Sequence, residues 1–299
     1  MLTLFTIPKP FKGHIDVTQR NALKSWTLLA PKVEVIVCGA EEGTAEVCRE
    51  LGLRHEPDVE RSKFGTPLLN CVFNRAQQIA QQDWLCYSNC DIILMSDFIR
   101  AFERLKEWRD GFLMVGQRWD VDITEPLDFT QANWAHTLHD KASNQGKQRG
   151  PDWIDYFVFK RGWCVGLPPF AVGRPCWDHW LIWWTRHNHI PVVDASSVVV
   201  AVHQNHDYSY HPEGLKGARE GAEFKRNRAL AGSWRHLNTI DDAMYVLDAQ
   251  GIGRTYRHWG KQFERERTHL RNRVLVATGP VRRRLGLRKE QLVHLFKAE

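Results

Sequence analysis

The sequence lacks several patterns that would assign it directly to a common class of protein. Its seven cysteines form no C-x-x-C pair, which excludes a zinc knuckle and gives no sign of a disulfide framework. Neither G-x-G-x-x-G nor G-x-x-x-x-G-K occurs, so a dinucleotide fingerprint and a P-loop are excluded. No apolar run approaches the roughly 18 residues of a membrane-spanning helix, and residues 2–7 lack the basic lead-in of a signal peptide. We therefore expect a soluble, cytoplasmic protein with reduced thiols.

The positive charge is unevenly distributed along the chain. Residues 251–299 hold 13 Lys and Arg against 4 Asp and Glu, whereas residues 1–250 hold 28 against 31. Because the basicity is confined to the tail and no nucleic-acid-binding motif is present, we expect no nucleic-acid partner. The 13 tryptophans are unusually many; some must belong to the core, and others can line a binding surface.

Apolar segments alternate with helix-like segments along the chain, which predicts βαβ units and a mostly parallel sheet. Strands are predicted at residues 2–7, 33–38, 84–88, 112–116, 153–159, 192–193 and 198–202. Helices are predicted at residues 16–29, 41–51, 68–81, 97–109 and 176–187, with a helical pattern again from 223. Residues 118–152 are polar and poorly periodic, and they are interpreted as a loop region shaped for substrate. We predict a catalytic domain over residues 1–220 and a helical, basic extension over residues 221–299.

The most informative motif is Asn89-Cys90-Asp91, which directly follows the predicted strand 84–88. Ligands collect beyond the carboxyl ends of strands in open α/β sheets, and a carboxylate there is costly to desolvate without a metal, a hydroxyl or a cation. Asp91 is therefore a candidate ligand of Mg²⁺ or Mn²⁺, with Asn89 a weaker oxygen donor or a ribose contact. The alternative is that Asp91 caps the following helix.

Asp178 lies at the start of a tryptophan-rich helix, after Pro175. A carboxylate facing a cleft among tryptophans could act as a general base on a hydroxyl, since burial would raise its proton affinity. The alternative is a first-turn acid that complements the helix dipole.

Three histidines, His203, His206 and His211, follow a short apolar strand within nine residues. Histidine is a common metal ligand, and His203 or His206 with Asp91 would form a mixed oxygen and nitrogen site. Their spacing matches no standard zinc signature. A hydrogen-bonding surface role is the alternative for each of them taken singly.

Taken in order, these motifs resemble those of the nucleotide-sugar glycosyltransferases of the GT-A fold. The matching positions are Thr6 to Lys9 at the end of the first strand, Asn89-Cys90-Asp91 at the D-x-D-type motif, Trp177-Asp178 at the second acidic motif, and His203 or His206 downstream. The resemblance covers roughly residues 1–215. This chain departs from the pattern by carrying asparagine in place of the first acid, an Asn-x-Asp variant in which metal affinity should fall.

The resemblance implies a GT-A-like (Rossmann-like) α/β fold and transfer of a hexose or related sugar from a UDP- or GDP-sugar to a carbohydrate or lipid-linked acceptor, as in polysaccharide synthesis. Mn²⁺ or Mg²⁺, weakly bound or dispensable, is the implied cofactor, held by Asp91, His203 and His206. Asp178 is the implied catalytic base if the reaction inverts configuration, or it positions the acceptor if configuration is retained. The implied nucleotide-sugar-binding residues are Thr6, Pro8, Lys9, Thr66, Asn70, Asn89, Asp91 and Asp155. Sugar or acceptor stacking is expected from Trp119, Trp153 and Trp177.

Two other functions would each account for part of the sequence. A sugar nucleotidyltransferase should carry a Gly-rich, basic loop near its start, whereas the first loop here has only Gly13. A noncatalytic carbohydrate-binding protein would account for the tryptophans and not for the order of Asp91, Asp178 and His203.

The basic tail has two interpretations. Residues 281–296 mix basic and apolar side chains, so they could lie on an anionic inner membrane surface near a lipid-linked acceptor. Alternatively, they form a helix that packs its apolar stripe on the catalytic body.

Overall fold

A computed structural model describes residues 1–206, 216–217, 220–261, 263 and 266–267. The chain divides into two compact units, Met1–Thr255 and Tyr256–Glu299. His211 and residues 281–296, which the sequence analysis singled out, lie outside the described residues. None of the described helices is long and apolar enough to cross a membrane.

The first unit alternates strands and helices, as the sequence predicts. The strands are β1 Leu2–Thr6, β2 Glu34–Cys38, β3 Arg54–Glu56, β4 Trp84–Ser88, β5 Ile92–Ile93, β6 Leu113–Val115, β7 Arg118–Val121, β8 Lys147–Gln148, β9 Tyr156–Lys160, β10 Val192–Asp194, β11 Ala201–Gln204, β12 Tyr245–Leu247 and β13 Ile252–Arg254. The α-helices are α1 Gly13–Thr27, α2 Thr44–Leu51, α3 Leu69–Ile79, α4 Ser96–Trp108, α5 Trp134–Gln145, α6 Trp177–His187 and α7 Ala222–Ala231.

Most of the strands form one large, mostly parallel sheet. Within the described residues its order is β13-β12-β10-β6-β9-β4-β1-β2-β3. Strand β9 runs antiparallel between β4 and β6, and the edge strand β13 is antiparallel to β12. A smaller sheet, β5-β11-β7-β8, stands beside it.

Both faces of the large sheet are buried under helices. Along β4, Trp84 and Cys86 face a core that includes α1 and α4, whereas Leu85 and Tyr87 face a core that includes α3 and α6. Successive side chains of a strand point to opposite faces, and a sheet covered on both faces selects continuous apolar strands. The predicted fold class, α/β with a mostly parallel sheet flanked by helices, is confirmed.

The interpretation of residues 118–152 as a loop region is wrong, because this segment contains β7, α5 and β8. Strand β7 was not predicted because two of its buried residues, Arg118 and Asp120, are charged. Charged residues at buried positions break the apolar alternation expected of a strand. Helix α5 was not predicted because Leu138 and Ala142 are its only buried residues. Two buried positions give too narrow an apolar stripe to recognise.

The domain boundary predicted at residue 220 stays a prediction. In the described residues, α7 belongs to the same compact unit as β1 to β11. The side chain of Asn227 in α7 accepts a hydrogen bond from the Ala171 backbone at 2.9 Å and donates one to the Ala171 carbonyl at 3.0 Å. In the second unit, the helical residues described are 257–261, 263, 266 and 267.

Candidate active site

A large cleft opens at the edge of the main sheet where β1 and β4 end. The two strands are adjacent and parallel, so their carboxyl ends meet at one edge, the usual position of ligands in open α/β sheets. The loops that follow them carry Lys9 and Asp91 into the cleft. Its volume of about 1410 Å³ exceeds the roughly 1,000 Å³ at the upper end of single small-ligand sites, so two ligands have room side by side.

The cleft brings together most of the residues selected from the sequence. Its lining includes Pro8, Lys9, Thr66, Asn89, Asp91, Trp153, Asp155, Trp177, Asp178, His203 and His206. Three selected residues do not line it. Thr6 is buried at the end of β1; Asn70 lies in the first turn of α3; and Trp119 packs on the small core around Val121.

Asp91 forms the centre of a cluster of cationic and imidazole side chains. Its Oδ2 lies 3.3 Å from Lys9 Nζ and 3.1 Å from His206 Nε2. His203 joins the cluster because β11 pairs with β5, which places His203 opposite Ile92. The helix that follows begins at Ser96 after an uncapped Met95, so Asp91 is not its cap.

Asp91 is held as a buried anion. Only 8% of the residue is exposed, and Oδ1 has no hydrogen-bond partner among the described residues. Burial opposes the charge and would raise the pKa of Asp91, but Lys9, His206 and His203 outweigh it and hold the pKa well below its usual range. A buried carboxylate with one unpartnered oxygen is matched to an added cation or hydrogen-bond donor.

The donor set fits a divalent cation. One ligand atom from each of Asp91, His203 and His206 lies within 4.8 Å of the other two. His203 Nδ1 faces Asp120 Oδ1 at 3.2 Å, which leaves Nε2 for the cluster. A carboxylate with two imidazoles suits Mn²⁺ better than Mg²⁺, because Mg²⁺ takes oxygen ligands and retains its waters.

Asn89 faces away from this cluster. Its Nδ2 donates to Asp155 Oδ1, and its Oδ1 accepts a hydrogen bond from the Tyr87 hydroxyl at 3.3 Å. The Asn89 backbone N–H also donates to the Asp155 carbonyl at 2.9 Å. The amide oxygen is therefore directed to Tyr87, and the side chain joins Asp155.

Asp178 lies in the first turn of α6, on the same cleft. Two residues earlier Cys176 has φ 94°, a left-handed conformation that is strained in a residue with a side chain and that turns the chain sharply into the helix. Burial, together with the nearby Asp155, raises the pKa of Asp178 against the opposing effect of His179. A carboxylate with a raised pKa in a cleft has the properties of a general base.

The tryptophans of the cleft differ in their surroundings. Trp153 is half-buried, and the guanidinium groups of Arg118 and Arg149 lie 4.5 and 4.9 Å from its ring centroid. Trp177 is buried and packs edge-on against Tyr87 at 5.2 Å. Trp153 is thus the more exposed of the two residues, whereas most of Trp177 belongs to the core.

Four buried charged residues that line the cleft were not predicted from the sequence: Arg118, Asp120, Arg174 and Glu223. Glu223 of α7 accepts hydrogen bonds from the hydroxyls of Ser62 and Thr66, both at 2.7 Å, and pairs with Arg174 at 3.0 Å. The hydroxyl of Thr66 is therefore directed to Glu223. No local pattern signals Glu223, because its partners are 49 to 161 residues away.

Comparison with protein-family models gave no match, and no curated protein matched. Among solved structures, the chain is similar to S. aureus TarS in complex with UDP, at a TM-score of 0.33 and 11% identity over 40% of this chain. The chain spans only 36% of that TarS structure.

Two further similar structures are complexes with a nucleotide or nucleotide sugar and a divalent metal. Glucosyl-3-phosphoglycerate synthase from Mycobacterium tuberculosis, in complex with Mg²⁺ and UDP, has a TM-score of 0.42 and 13% identity, covering 69% of this chain and 72% of that one. A mannosyltransferase from Pyrobaculum calidifontis, in complex with GDP-mannose and Mn²⁺, has a TM-score of 0.43 and 17% identity, covering 70% and 58%. At TM-scores under 0.5, these likenesses assign no activity to the present chain.

Proposed function

We propose that this protein is a glycosyltransferase that moves a hexosyl or related sugar from a nucleoside-diphosphate sugar to an acceptor hydroxyl. The observation that carries the proposal is the buried Asp91 with Lys9, His203 and His206 in the same cleft as Asp178. The cluster around Asp91 is suited to bind a diphosphate together with a divalent cation, and Asp178 is suited to accept a proton. That combination is what displacement of a diphosphate by a hydroxyl requires.

The diphosphate of the donor, UDP or GDP, binds at the carboxyl ends of β1 and β4. Lys9 supplies a positive charge there, and the Gln19 side chain fixes its loop by bonding the Lys9 backbone N–H at 2.6 Å and carbonyl at 2.9 Å. Asp91, His203 and His206 would hold Mn²⁺ or Mg²⁺, which when bound would neutralise charge on the leaving diphosphate. Pro8 and Thr66 also line the cleft.

The acceptor binds in the half of the cleft next to Asp178. Asp178 takes the proton of the acceptor hydroxyl while the oxygen of that hydroxyl forms a bond to the sugar C1. The bond between C1 and the diphosphate oxygen breaks at the same time, and its electron pair leaves with the diphosphate. This direct displacement inverts configuration at C1. Trp153 stacks on a sugar face, and the acceptor is a carbohydrate or a lipid-linked sugar, as in polysaccharide or glycoconjugate synthesis.

The alternative functions account for less of the cleft. A noncatalytic carbohydrate-binding protein would not account for the buried Asp91 carboxylate and its three cationic or imidazole neighbours. A sugar nucleotidyltransferase would attack a phosphate rather than a sugar carbon, and Asp178 would then have no hydroxyl to deprotonate. The products distinguish the two enzymes, because only the glycosyltransferase releases a nucleoside diphosphate.

Nucleoside diphosphates with Mn²⁺ are expected to stabilise the protein thermally. At a ligand concentration about 100 times Kd, binding adds about 2.7 kcal/mol, which raises Tm by roughly 5–10 °C in a domain of this size. UDP and GDP are compared with and without Mn²⁺ and against UMP and GMP as controls that lack the second phosphate. The same panel of UDP- and GDP-sugars is then assayed for release of the diphosphate. No Tm rise with either diphosphate and no release from any sugar would contradict the proposal.

We also propose that the second unit makes peripheral contact with an anionic membrane surface. Tyr256, Trp259 and Phe263 are 69%, 68% and 71% exposed. Trp259 and Phe263 are four residues apart in the helical stretch, which places them on one helix face, and Tyr256 directly precedes that stretch. Exposed Arg257 and Arg267 lie on the same segment. Aromatic rings with basic neighbours suit an interface with acidic headgroups, which would bring a lipid-linked acceptor close.

Removing this aromatic face is expected to weaken membrane binding. The combined replacements Tyr256→Ala, Trp259→Ala and Phe263→Ala should lower partitioning onto phosphatidylserine-containing vesicles by about tenfold or more, since three apolar rings lose their burial. Sedimentation with these vesicles, and with phosphatidylcholine alone, measures the effect. Leu28→Ala with Val165→Ala, which truncates exposed apolar residues of the first unit, is the control. Equal sedimentation of both variants and the wild type would contradict membrane contact through this face.

A further inference from the structure

We infer that Asn89, Asp155, Arg118 and Asp120 form a positioning chain that aims His203 at the cation site, so that Asn89 orients a ligand and is not one itself. The inference deepens the proposed function and rests on it. It also accounts for asparagine at the first position of the acidic motif. Each link is a contact between buried or half-buried side chains.

The last link is the contact between Asp120 and His203. Strand β7 runs parallel to β11 with Asp120 opposite His203, and Asp120 Oδ1 lies 3.2 Å from His203 Nδ1. The ring N–H does not point straight at the oxygen, so the contact is a close polar pair rather than a linear hydrogen bond. A carboxylate at Nδ1 favours the Nδ1–H tautomer and leaves Nε2 as the metal-binding lone pair.

Asp120 is itself fixed by two arginines. Arg118 Nε donates to its Oδ1 at 2.8 Å, and Arg149 Nε donates to its Oδ2. These two contacts fix the carboxylate in place as a partner for the imidazole.

Arg118 extends the chain from Asp120 to Asp155. It is buried, and its Nη1 donates to Asp155 Oδ2 at 3.0 Å while its Nε serves Asp120. A buried guanidinium between two carboxylates fixes both, because its donors form a rigid planar fork. Displacement of Asp155 would therefore shift Asp120 and, through it, the ring of His203.

Asn89 completes the chain at the other oxygen of Asp155. Its amide is a hydrogen-bond donor to Asp155 Oδ1, whereas an aspartate at position 89 would place a second carboxylate at hydrogen-bond distance. Two carboxylates that share a site cannot both be ionised without a large energetic cost. An acid at position 89 would therefore displace Asp155 and disturb His203 rather than add a metal ligand.

Mn²⁺ titrations followed by electron paramagnetic resonance test this chain without an activity assay. Asp120→Asn is expected to weaken Mn²⁺ affinity by about 10- to 100-fold, the usual effect of losing the partner of a metal-binding histidine. Asn89→Asp is expected to weaken it as well, although it adds a carboxylate. Asp128→Asn, an exposed residue outside the cleft, serves as the control with unchanged affinity. Unchanged affinity in Asp120→Asn, or affinity more than about threefold tighter in Asn89→Asp, would overturn the inference.

The tautomer of His203 in the wild-type protein is a second readout, and measuring it requires no variant. Nitrogen-15 NMR of the full chain at neutral pH should show His203 protonated at Nδ1 in the wild type, with the tautomers mixed in Asp120→Asn. Protonation at Nε2 alone in the wild type would overturn the chain. If the wild type binds no Mn²⁺, both the proposed cation site and this inference are wrong. Release of diphosphate from the panel of sugars is a separate test, and it decides whether the proposed transferase activity is also wrong.

Discussion

Replacement of Asp91 by asparagine is expected to lower sugar transfer by about 10²- to 10³-fold or more, the effect of losing one preorganised electrostatic partner of the reacting charge. The charge of Asp91 is buried, and Lys9 and His206 both contact its Oδ2. A neutral amide would leave these groups without their anion and would remove the carboxylate from the cation site. The variant should bind Mn²⁺ more weakly and release little diphosphate.

Initial rates with the donor identified in the sugar panel measure this loss. Asp83→Asn is the matched control, because the Asp83 side chain is 82% exposed and its contact is a long one, 3.8 Å, to Arg161. That control should retain full activity, since exposed ion pairs contribute little. If Asp91→Asn retains more than about a tenth of the wild-type rate, Asp91 does not serve the diphosphate or its cation.

Replacement of Asp178 by asparagine is expected to lower kcat by about 10²- to 10⁴-fold, the usual contribution of a general base. The Michaelis constant for the nucleotide sugar should change little, because Asp178 is proposed to contact the acceptor rather than the diphosphate. Asp110→Asn, an exposed aspartate paired with Lys160, is the control. Full activity of Asp178→Asn would remove the base from the proposed mechanism, and a retaining reaction would give Asp178 a positioning role instead.

The pH dependence of the wild type tests the same role. Burial raises the pKa of Asp178 above the ordinary aspartate value of 3.8, and a base acts only when ionised. The value of kcat/KM should therefore fall as the pH drops through this raised pKa, at a higher pH than an ordinary aspartate would give. An acid limb at or below the ordinary aspartate pKa would contradict a base with a raised pKa.

Local patterns in the sequence were sufficient for the α/β framework and for the position of Asp91. Segments such as 84–88 are continuous apolar runs because both faces of their strand are covered, and that requirement is visible without knowing the neighbours. Asp91 could be selected for the same reason: a polar group directly after a buried strand must lie at the sheet edge. The helix that begins at Trp177 was predicted from tryptophans at helical spacing.

The sequence by itself therefore determined the alternation of strands and helices outside residues 118–152 and the position of Asp91 at the edge of the sheet. Only the tertiary structure decided what these residues contact. Asp120 faces His203 because β7 pairs with β11, and Asn89 meets Asp155 because β4 pairs with β9. These partners are separated by 83 and 66 positions in the chain, and such pairings depend on strand order and register, which periodicity within a segment does not specify. For the same reason the asparagine at position 89, which in the sequence looks like a weakened metal ligand, is in the fold the partner of a buried carboxylate.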